Sequence, residues 1–148
     1  MLATDGWAAA RVQLAALGDL SLGQWPGRGP LTADDWHCVR VQGGPPPHSF
    51  RLEAYGTGPG GRFVLENGEA LLPFSLAYDD GRGLRAFAGP GRSLGGLEGS
   101  RNGGAFRRCL KGDAGERRRL RVEVAEPDLA RAPAGRYRGT LLLMVVPE

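Results

Sequence analysis

The residues most able to do chemistry lie in glycine-rich stretches. Gly91–Gly95 has the G-x-S-x-G pattern, in which a nucleophilic serine sits on a turn between a strand and a helix, with a histidine later in the chain. Both His37 and His48 precede Ser93, and another glycine after the motif disfavours a helix. We therefore expect Ser93 to be a loop residue and the chain to have no catalytic residues.

The segment Gly56–Gly61 matches a second pattern, G-x-G-x-x-G, which binds a dinucleotide pyrophosphate at the start of a helix. Here the pattern contains Pro59 and leads into Arg62–Leu65, a segment of strand character. The sequence therefore predicts a hairpin turn and no nucleotide cofactor.

Metal-binding patterns are weak. Asp34-Asp35 and Asp79-Asp80 offer carboxylates, but neither pair belongs to a spaced calcium-binding loop, and aspartate is an ordinary turn residue. Two histidines and two widely separated cysteines do not form a zinc motif. We expect no metal and no other cofactor, and we expect His37 to face outward from a strand.

The positive charge has a simple explanation. The chain has 19 Lys and Arg against 16 Asp and Glu, and of the basic residues only Lys111 is not arginine. With no isoleucine present, this usage is typical of a GC-rich genome. Arg117, Arg119 and Arg121 share one strand parity, which predicts a solvated sheet face rather than a nucleic-acid interface. No apolar run approaches the ~20 residues of a membrane span.

The 148 residues have the length of one domain, and their dominant pattern has a period of two. Alternation marks Phe50–Ala54, Phe63–Leu65, Leu72–Tyr78 and Leu120–Val124 as half-buried strands, with turn clusters between them. Short strands at this spacing predict an antiparallel β-sandwich. The glycine-rich stretch Gly89–Gly104 is predicted to be a mobile loop.

Two terminal segments fit the pattern less well. Trp7–Leu17 fits one helical face or a strand equally well, so its periodicity does not decide. Tyr137–Val146 ends in six consecutive apolar residues, which indicates a strand buried on both faces or one awaiting a partner.

The two cysteines, Cys38 and Cys109, leave two interpretations open from the residues alone: separate buried thiols, or one disulfide made in an oxidising compartment. Met1–Ala10 has neither a basic start nor an apolar core of a signal peptide. The signal was trimmed, the start is set wrongly, or the protein is cytosolic.

Several short motifs, in order, resemble one family. RAPAGRYRGTL at Arg131–Leu141 is similar to its closing AAPAGTYSGTL motif, and VVPE at Val145–Glu148 to its TVAPE tail. Upstream, LPFSLAYD at Leu72–Asp79 resembles an LPYSVSWND strand, LGQW at Leu22–Trp25 resembles FGTW, and Cys38 begins a similar cysteine segment. The chain thus resembles, from about Gly18 to Glu148, the spore coat protein U domain of archaic chaperone–usher pili.

The resemblance implies an incomplete immunoglobulin-like sandwich of the pilin type, which lacks its last strand and carries a Cys38–Cys109 disulfide. It implies secretion to the periplasm and then to the cell surface. The implied partners are a periplasmic chaperone, an usher and neighbouring pilus subunits. The chain would be a minor or terminal subunit that supports adhesion and biofilm formation. We expect the groove that accepts a partner's strand to involve Tyr137, Leu141, Leu143 and Val145, or the neighbours of opposite parity.

Two features depart from the family pattern. Threonine-rich surface positions of the family are arginine here, and Met1–Ala10 lacks the alternating apolar pattern of a donor strand. Either upstream residues are missing, or the subunit accepts a strand without donating one. The alternative function is a secreted, self-complete sandwich that binds carbohydrate or a cell surface through the loops Gly43–His48 or Gly56–Gly61. A hydrolase that uses Ser93 ranks third.

Overall fold

The computed structural model describes residues 11–15, 18–43 and 48–148, which form ten strands and two short helices. The strands are β1 (Arg11–Ala15), β2 (Leu31–Gln42), β3 (Ser49–Tyr55), β4 (Val64–Asn67), β5 (Ala70–Pro73), β6 (Ser75–Asp79), β7 (Leu84–Ala86), β8 (Leu94–Glu98), β9 (Arg118–Val124) and β10 (Leu142–Pro147). The helices are α1 (Gly103–Leu110) and α2 (Glu126–Arg131). Neither described helix has the length or hydrophobicity to cross a lipid bilayer.

The strands form two main sheets and a separate hairpin. One sheet has the order β1-β2-β9-β6-β7, the other has the order β10-β3-β8, and β4 pairs with β5. Every pair of neighbouring strands is antiparallel. Most neighbours in the sheets are not consecutive in the chain, so the connections cross between layers as in a sandwich.

The core lies between the two sheets and follows from the alternation of apolar residues. In β3, Phe50, Leu52 and Ala54 are fully buried and alternate with half-buried residues. They face the inward row of the larger sheet, which contains Val39, Val41, Leu76, Tyr78, Leu120 and Val122. The predicted fold class, an immunoglobulin-like antiparallel β-sandwich, is confirmed.

The predicted strand Leu72–Tyr78 is wrong in one respect, because the chain changes sheets within it. β5 ends at Pro73, which has no N–H to donate, and β6 begins at Ser75 beside β9. Between them, the Phe74 N–H donates to the Phe63 carbonyl at 3.0 Å. The apolar alternation continues across this break, so the pattern alone did not reveal it.

The structure also corrects the predictions for two glycine-rich segments. Gly89–Gly104 is not one loop, since it contains β8 and the first residues of α1. Gly56–Gly61 turns the chain through a short 3-10 segment, but it joins β3 to β4, which belong to different sheets, so it is not a hairpin.

The structure corrects the prediction for His37 and resolves part of the N-terminal ambiguity. His37 is 1% exposed and faces inward, because it shares the parity of Asp35 and Val39 on β2. Of the segment Trp7–Leu17, Arg11–Ala15 is the strand β1, and the remaining residues lie outside the described ranges.

The disulfide joins α1 to the outer face of the larger sheet. Cys38 and Cys109 are bonded, with their Cα atoms 5.9 Å apart, and Phe106 packs beside them. Of the two interpretations that the residues left open, the structure contains the disulfide.

The arginine row on β9 lies on that same outer face. Arg121 forms a two-pronged ion pair with Asp34, and Arg119 pairs with Asp34 and Asp79. The guanidinium groups of Arg117 and Arg119 also stack over the Trp36 ring, at 4.7 and 5.2 Å from its centre. The predicted parity of this row is confirmed.

Candidate functional site

The most unusual element of the fold is the edge strand β10. It pairs with β3, from Leu142 opposite Tyr55 to Pro147 opposite Phe50. In an antiparallel pair, alternate residues direct their N–H and C=O groups away from the partner. Within the described residues, β3 is the only strand hydrogen-bonded to β10, so the outer row of its backbone groups has no strand partner.

A groove lies beside the start of β10. It is lined by the segment 18–23, by Leu141 and Leu143, and by the buried side chains of Leu120 and Val122, together with Asp35, Leu65, Phe74 and residues 136–140. The groove has a volume of about 970 Å³. We call this space the β10 groove. β1 lies near β10, but its only strand partner among the described residues is β2.

The predicted groove residues Leu141, Leu143 and Val145 share one face. Leu143 and Val145 belong to β10, and Leu141 is the residue before that strand. Leu141, Leu143 and Val145 are half-buried and pack against the main core. Their neighbours Leu142 and Met144 point outward and are 61% and 46% exposed. Of the two alternating sets of residues predicted for the groove, the structure therefore places Leu141, Leu143 and Val145 toward the core. Leu141 and Leu143 line the groove, and Val145 lies further along the strand.

Tyr137 belongs to an adjoining space. It is half-buried against a second apolar cluster made of Leu72, Val124 and Leu129. It lines both the β10 groove and a neighbouring cavity of about 730 Å³. We call that space the Tyr137 cavity. Tyr137 thus lies where the β10 groove meets the Tyr137 cavity, five residues before β10 begins.

Residues 137–141 form no regular strand, so the predicted strand Tyr137–Val146 begins late. Arg138 exchanges two backbone hydrogen bonds with Glu66 of β4, at 2.6 and 3.0 Å. A Cβ at Gly139 would lie 2.8 Å from the Val64 carbonyl oxygen, so only glycine fits this close approach. The hairpin β4–β5 therefore holds the chain away from the sheet until Leu142.

One polar side chain is buried in the β10 groove. Asp35 of β2 is 7% exposed and lines the groove beside segment 18–23. Its Oδ2 accepts a hydrogen bond from the Gly18 N–H at 2.9 Å. Its Oδ1 is buried and accepts no hydrogen bond from the described residues. The carboxylate is thus only half satisfied.

The neighbour of Asp35 in the core is a neutral histidine. His37 Nε2 lies 2.7 Å from the Tyr78 hydroxyl, and its Nδ1 lies 3.3 Å from the Asp35 carbonyl oxygen. Burial lowers the pKa of His37, an effect that outweighs its contacts with Asp35. Burial also raises the pKa of Tyr78. At neutral pH both rings are therefore uncharged.

The residues that suggested other chemistry have structural partners. The Ser93 hydroxyl donates to Glu53 Oε1 at 2.9 Å, and the segment after it is the strand β8 rather than a helix. The carboxylate of Asp80 is paired with Arg82 at 2.7 Å. In the described part of the chain, no three His, Cys, Asp or Glu side chains converge as metal ligands would.

No sequence pattern predicts that the segment 18–23 lines the groove, and Asp35 was not predicted as its buried carboxylate. Leu20 and Leu22 lie in a stretch without regular structure, so no periodic signal marks them. Asp35 had a signal that was available: it lies at an inward position of β2, between Ala33 and His37. A charged residue at an inward strand position requires a partner.

Comparison with solved structures identifies a related fold. The chain is similar to one from a chaperone–tip adhesin complex described as vital for the synergistic activation of CFA/I fimbriae biogenesis. The TM-score is 0.55 at 15% sequence identity, with 94% of this chain and 41% of that chain covered. This chain therefore spans about two fifths of the length of that one. No family model and no curated protein matches the sequence.

Proposed function

We propose that the chain is a structural subunit, minor or terminal, of a secreted pilus of the chaperone–usher type. The observation that carries this proposal is the β10 groove, a space lined in part by apolar side chains such as Leu22, Leu120 and Leu143, beside a strand whose outer backbone edge lacks a strand partner in the described residues. An extended segment of another subunit would pair with that edge and fill the groove, which is β-augmentation. The shared fold with a chain of a fimbrial assembly complex supports the proposal.

The energetics favour an inserted strand over an empty groove. Each backbone hydrogen bond gained contributes about 1 kcal/mol net. Covering a half-buried apolar side chain contributes roughly 1–2 kcal/mol. The half-buried apolar residues around the core are Val12, Leu14, Leu20, Leu22, Phe63, Phe74, Leu141, Leu143 and Val145. Since a whole domain is stable by about 5–15 kcal/mol, an inserted strand would change its stability substantially.

This function implies a sequence of partners and compartments. A periplasmic chaperone would cover the groove first, an usher would exchange it for a strand of the neighbouring subunit, and the assembled fibre would lie at the cell surface. The role would be structural and not enzymatic, and adhesion and biofilm formation would belong to the fibre. The disulfide between Cys38 and Cys109 supports an oxidising compartment.

Thermal unfolding with synthetic strands tests the proposal. The probes are peptides somewhat longer than β10 in which valine alternates with threonine, together with scrambled peptides of equal composition. We expect the alternating peptides to raise the melting temperature in proportion to the logarithm of their concentration, because they bind the folded chain alone. The scrambled peptides should have no effect.

A matched pair of variants locates the binding site. Leu143 lines the groove, whereas Met144 is the next residue and points outward. We expect Leu143→Ser to weaken the binding of the alternating peptide about tenfold or more, since a buried leucine contact of about 1.4 kcal/mol or more is lost. Met144→Ser should bind as the unmodified chain does.

One outcome would replace the proposal by the alternative function. If the chain unfolds as a sharply cooperative monomer and no alternating peptide changes its melting temperature, the sandwich is self-complete. The chain would then be a surface- or carbohydrate-binding module.

A further inference from the structure

The carboxylate of Asp35 is the one buried polar group that the walls of the β10 groove leave incompletely bonded, among the residues described. Asp35 lies on the inward face of β2, opposite Leu120 of β9, and is 7% exposed. Oδ2 accepts a hydrogen bond from the Gly18 N–H, and Oδ1 has no hydrogen-bond donor among the described residues.

The nearest groups do not neutralise this carboxylate. His37 Nδ1 lies 3.4 Å from Oδ1, but its nearer partner is the Asp35 carbonyl oxygen at 3.3 Å, and the ring is uncharged at neutral pH. The guanidinium of Arg118, on the adjacent strand, donates to the carbonyls of Glu98, Glu116 and Gly99.

The cations at the rim of the groove are also too far away. Arg136 and Arg138 line the groove, but neither forms an ion pair with Asp35. The ion pairs of the described residues instead engage other carboxylates, such as those of Asp34 and Asp80. No cation on the described chain therefore satisfies Asp35.

A buried carboxylate without a donor is unfavourable, whereas one that receives a charge-assisted hydrogen bond is held strongly and with defined geometry. An entirely apolar strand inserted into the groove would remove the remaining water around Asp35 and increase this penalty. A strand with a cationic side chain at the facing position would relieve it.

On the basis of the function proposed above, we propose that Asp35 determines which strand the groove accepts and in which register. The partner's strand carries apolar residues at alternate positions, and at one of them a lysine or arginine whose side chain bonds Asp35 Oδ1. Because the side-chain period of a strand is two, a shift of one residue would remove that cation from the groove. Asp35 therefore acts as a specificity-determining residue, and the apolar side chains that line the groove supply most of the affinity.

A lysine scan of the synthetic strand tests this proposal on the unmodified chain. In the alternating valine–threonine peptide, each inward valine is replaced in turn by lysine, and in a matched set by norleucine, which has a similar length and no charge. We expect one position at which the lysine peptide binds about tenfold tighter than its norleucine counterpart. At the other inward positions lysine should weaken binding, because its charge is buried without a partner.

Two carboxamide variants identify the residue responsible. Asp35→Asn keeps an oxygen for the Gly18 N–H and removes the charge, so we expect the preference for lysine to disappear. Asp34→Asn is the matched control, since Asp34 is adjacent in sequence and lies on the outer face of β2, paired with Arg121. This variant should keep the full preference for lysine.

The outcomes separate this proposal from the function on which it rests. If the valine–threonine peptide binds and lysine weakens binding at every inward position, the role of Asp35 is refuted and the strand-accepting function stands. If the preferred position keeps its preference in Asp35→Asn, another residue is responsible and the proposal is also refuted. If no peptide binds, both proposals fail. The scan on the unmodified chain decides the matter even where Asp35→Asn does not fold.

Discussion

The two edges of the three-stranded sheet are treated in opposite ways. At the β8 edge, side chains from the larger sheet bond the exposed backbone: Asp80 accepts from the Glu98 N–H at 2.9 Å, and Arg118 donates to the Glu98 carbonyl at 2.9 Å. Arg82 and Arg85 donate to the carbonyls of Gly96 and Gly95. The β8 edge is therefore closed to another strand.

The β10 edge has no comparable arrangement within the described residues. Its outer backbone groups have no strand partner among the described residues, and the β10 groove at the start of the strand combines apolar side chains with Asp35 and other polar residues. Exposed strand edges promote aggregation, and natural proteins usually block them. This contrast between the β8 edge and the β10 edge, seen among the described residues, supports the proposal that β10 accepts a strand of a partner.

Among the variants that test this difference between the β8 and β10 edges, Arg118→Ala should cause the largest loss of stability. Arg118 is 7% exposed and donates to three carbonyls, so its loss removes three hydrogen bonds made by a buried guanidinium group. We expect the free energy of unfolding to fall by about 3–5 kcal/mol, measured by urea denaturation. The control is Arg85→Ala, which removes one bond from an exposed side chain and should cost below about 1 kcal/mol. Equal losses would show that the β8 edge does not depend on Arg118.

Removal of the disulfide should cost less stability and leave the binding of a strand at the β10 edge unchanged. The disulfide lies on the outer face of the larger sheet, away from the β10 groove. We expect the double variant Cys38→Ala and Cys109→Ala to lower the free energy of unfolding by about 2–4 kcal/mol. At a temperature where the variant is folded, it should bind the alternating peptide with unchanged affinity. Loss of binding in the folded variant would show that the disulfide shapes the groove.

The smallest expected effect concerns the dependence of stability on pH, which should differ between groups near the two edges. Burial depresses the pKa of His37, beside the groove, so the unfolded chain takes up a proton there before the folded chain does. Stability from this group is therefore complete above about pH 6.5 and is lost as the pH falls below that value, by at most about 1.4 kcal/mol per pH unit. Denaturation at pH 7 and pH 5 measures it, and His37→Gln should remove this part of the slope.

The closed edge should respond in a different range. Burial raises the pKa of Asp80, but hydrogen bonds from Arg82 and from the Glu98 N–H outweigh this, and the pKa lies below its usual 3.8. Its stabilising effect is present above that value and is lost only as the pH falls through the lower pKa of the folded state. A slope between pH 7 and 5 that persists in His37→Gln would contradict the assignment to His37.

Much of the sandwich was predictable because alternation reports burial directly. The strand at Leu120–Val124 has the predicted parity, with Arg121 outward. The strand β8 was missed because Gly95 and Gly96 carry no side chains from which a period could be recognised. The break at Phe74 was missed because the inward residues on both sides of it keep the same spacing, although they belong to different sheets.

The candidate site divides in the same way. Leu141, Leu143 and Val145 were found from the apolar run before the C-terminus, and the structure decides which parity of that run faces the core. Tyr137 was grouped with them, but it lies where the β10 groove meets the Tyr137 cavity, because its segment is bonded to β4 rather than to the sheet.

By itself, the sequence determined the class of fold and the identity of the inward rows, because burial of apolar side chains depends on local alternation. Only the tertiary structure decided which edges are paired, since hydrogen bonds between strands join residues far apart in the chain. It also brought Asp35 to the groove beside Leu141 and Leu143, more than a hundred positions away in sequence. Among the described residues, the edge of β10 without a second strand partner and the incompletely bonded carboxylate of Asp35 are properties of that assembly, and no local pattern contains them.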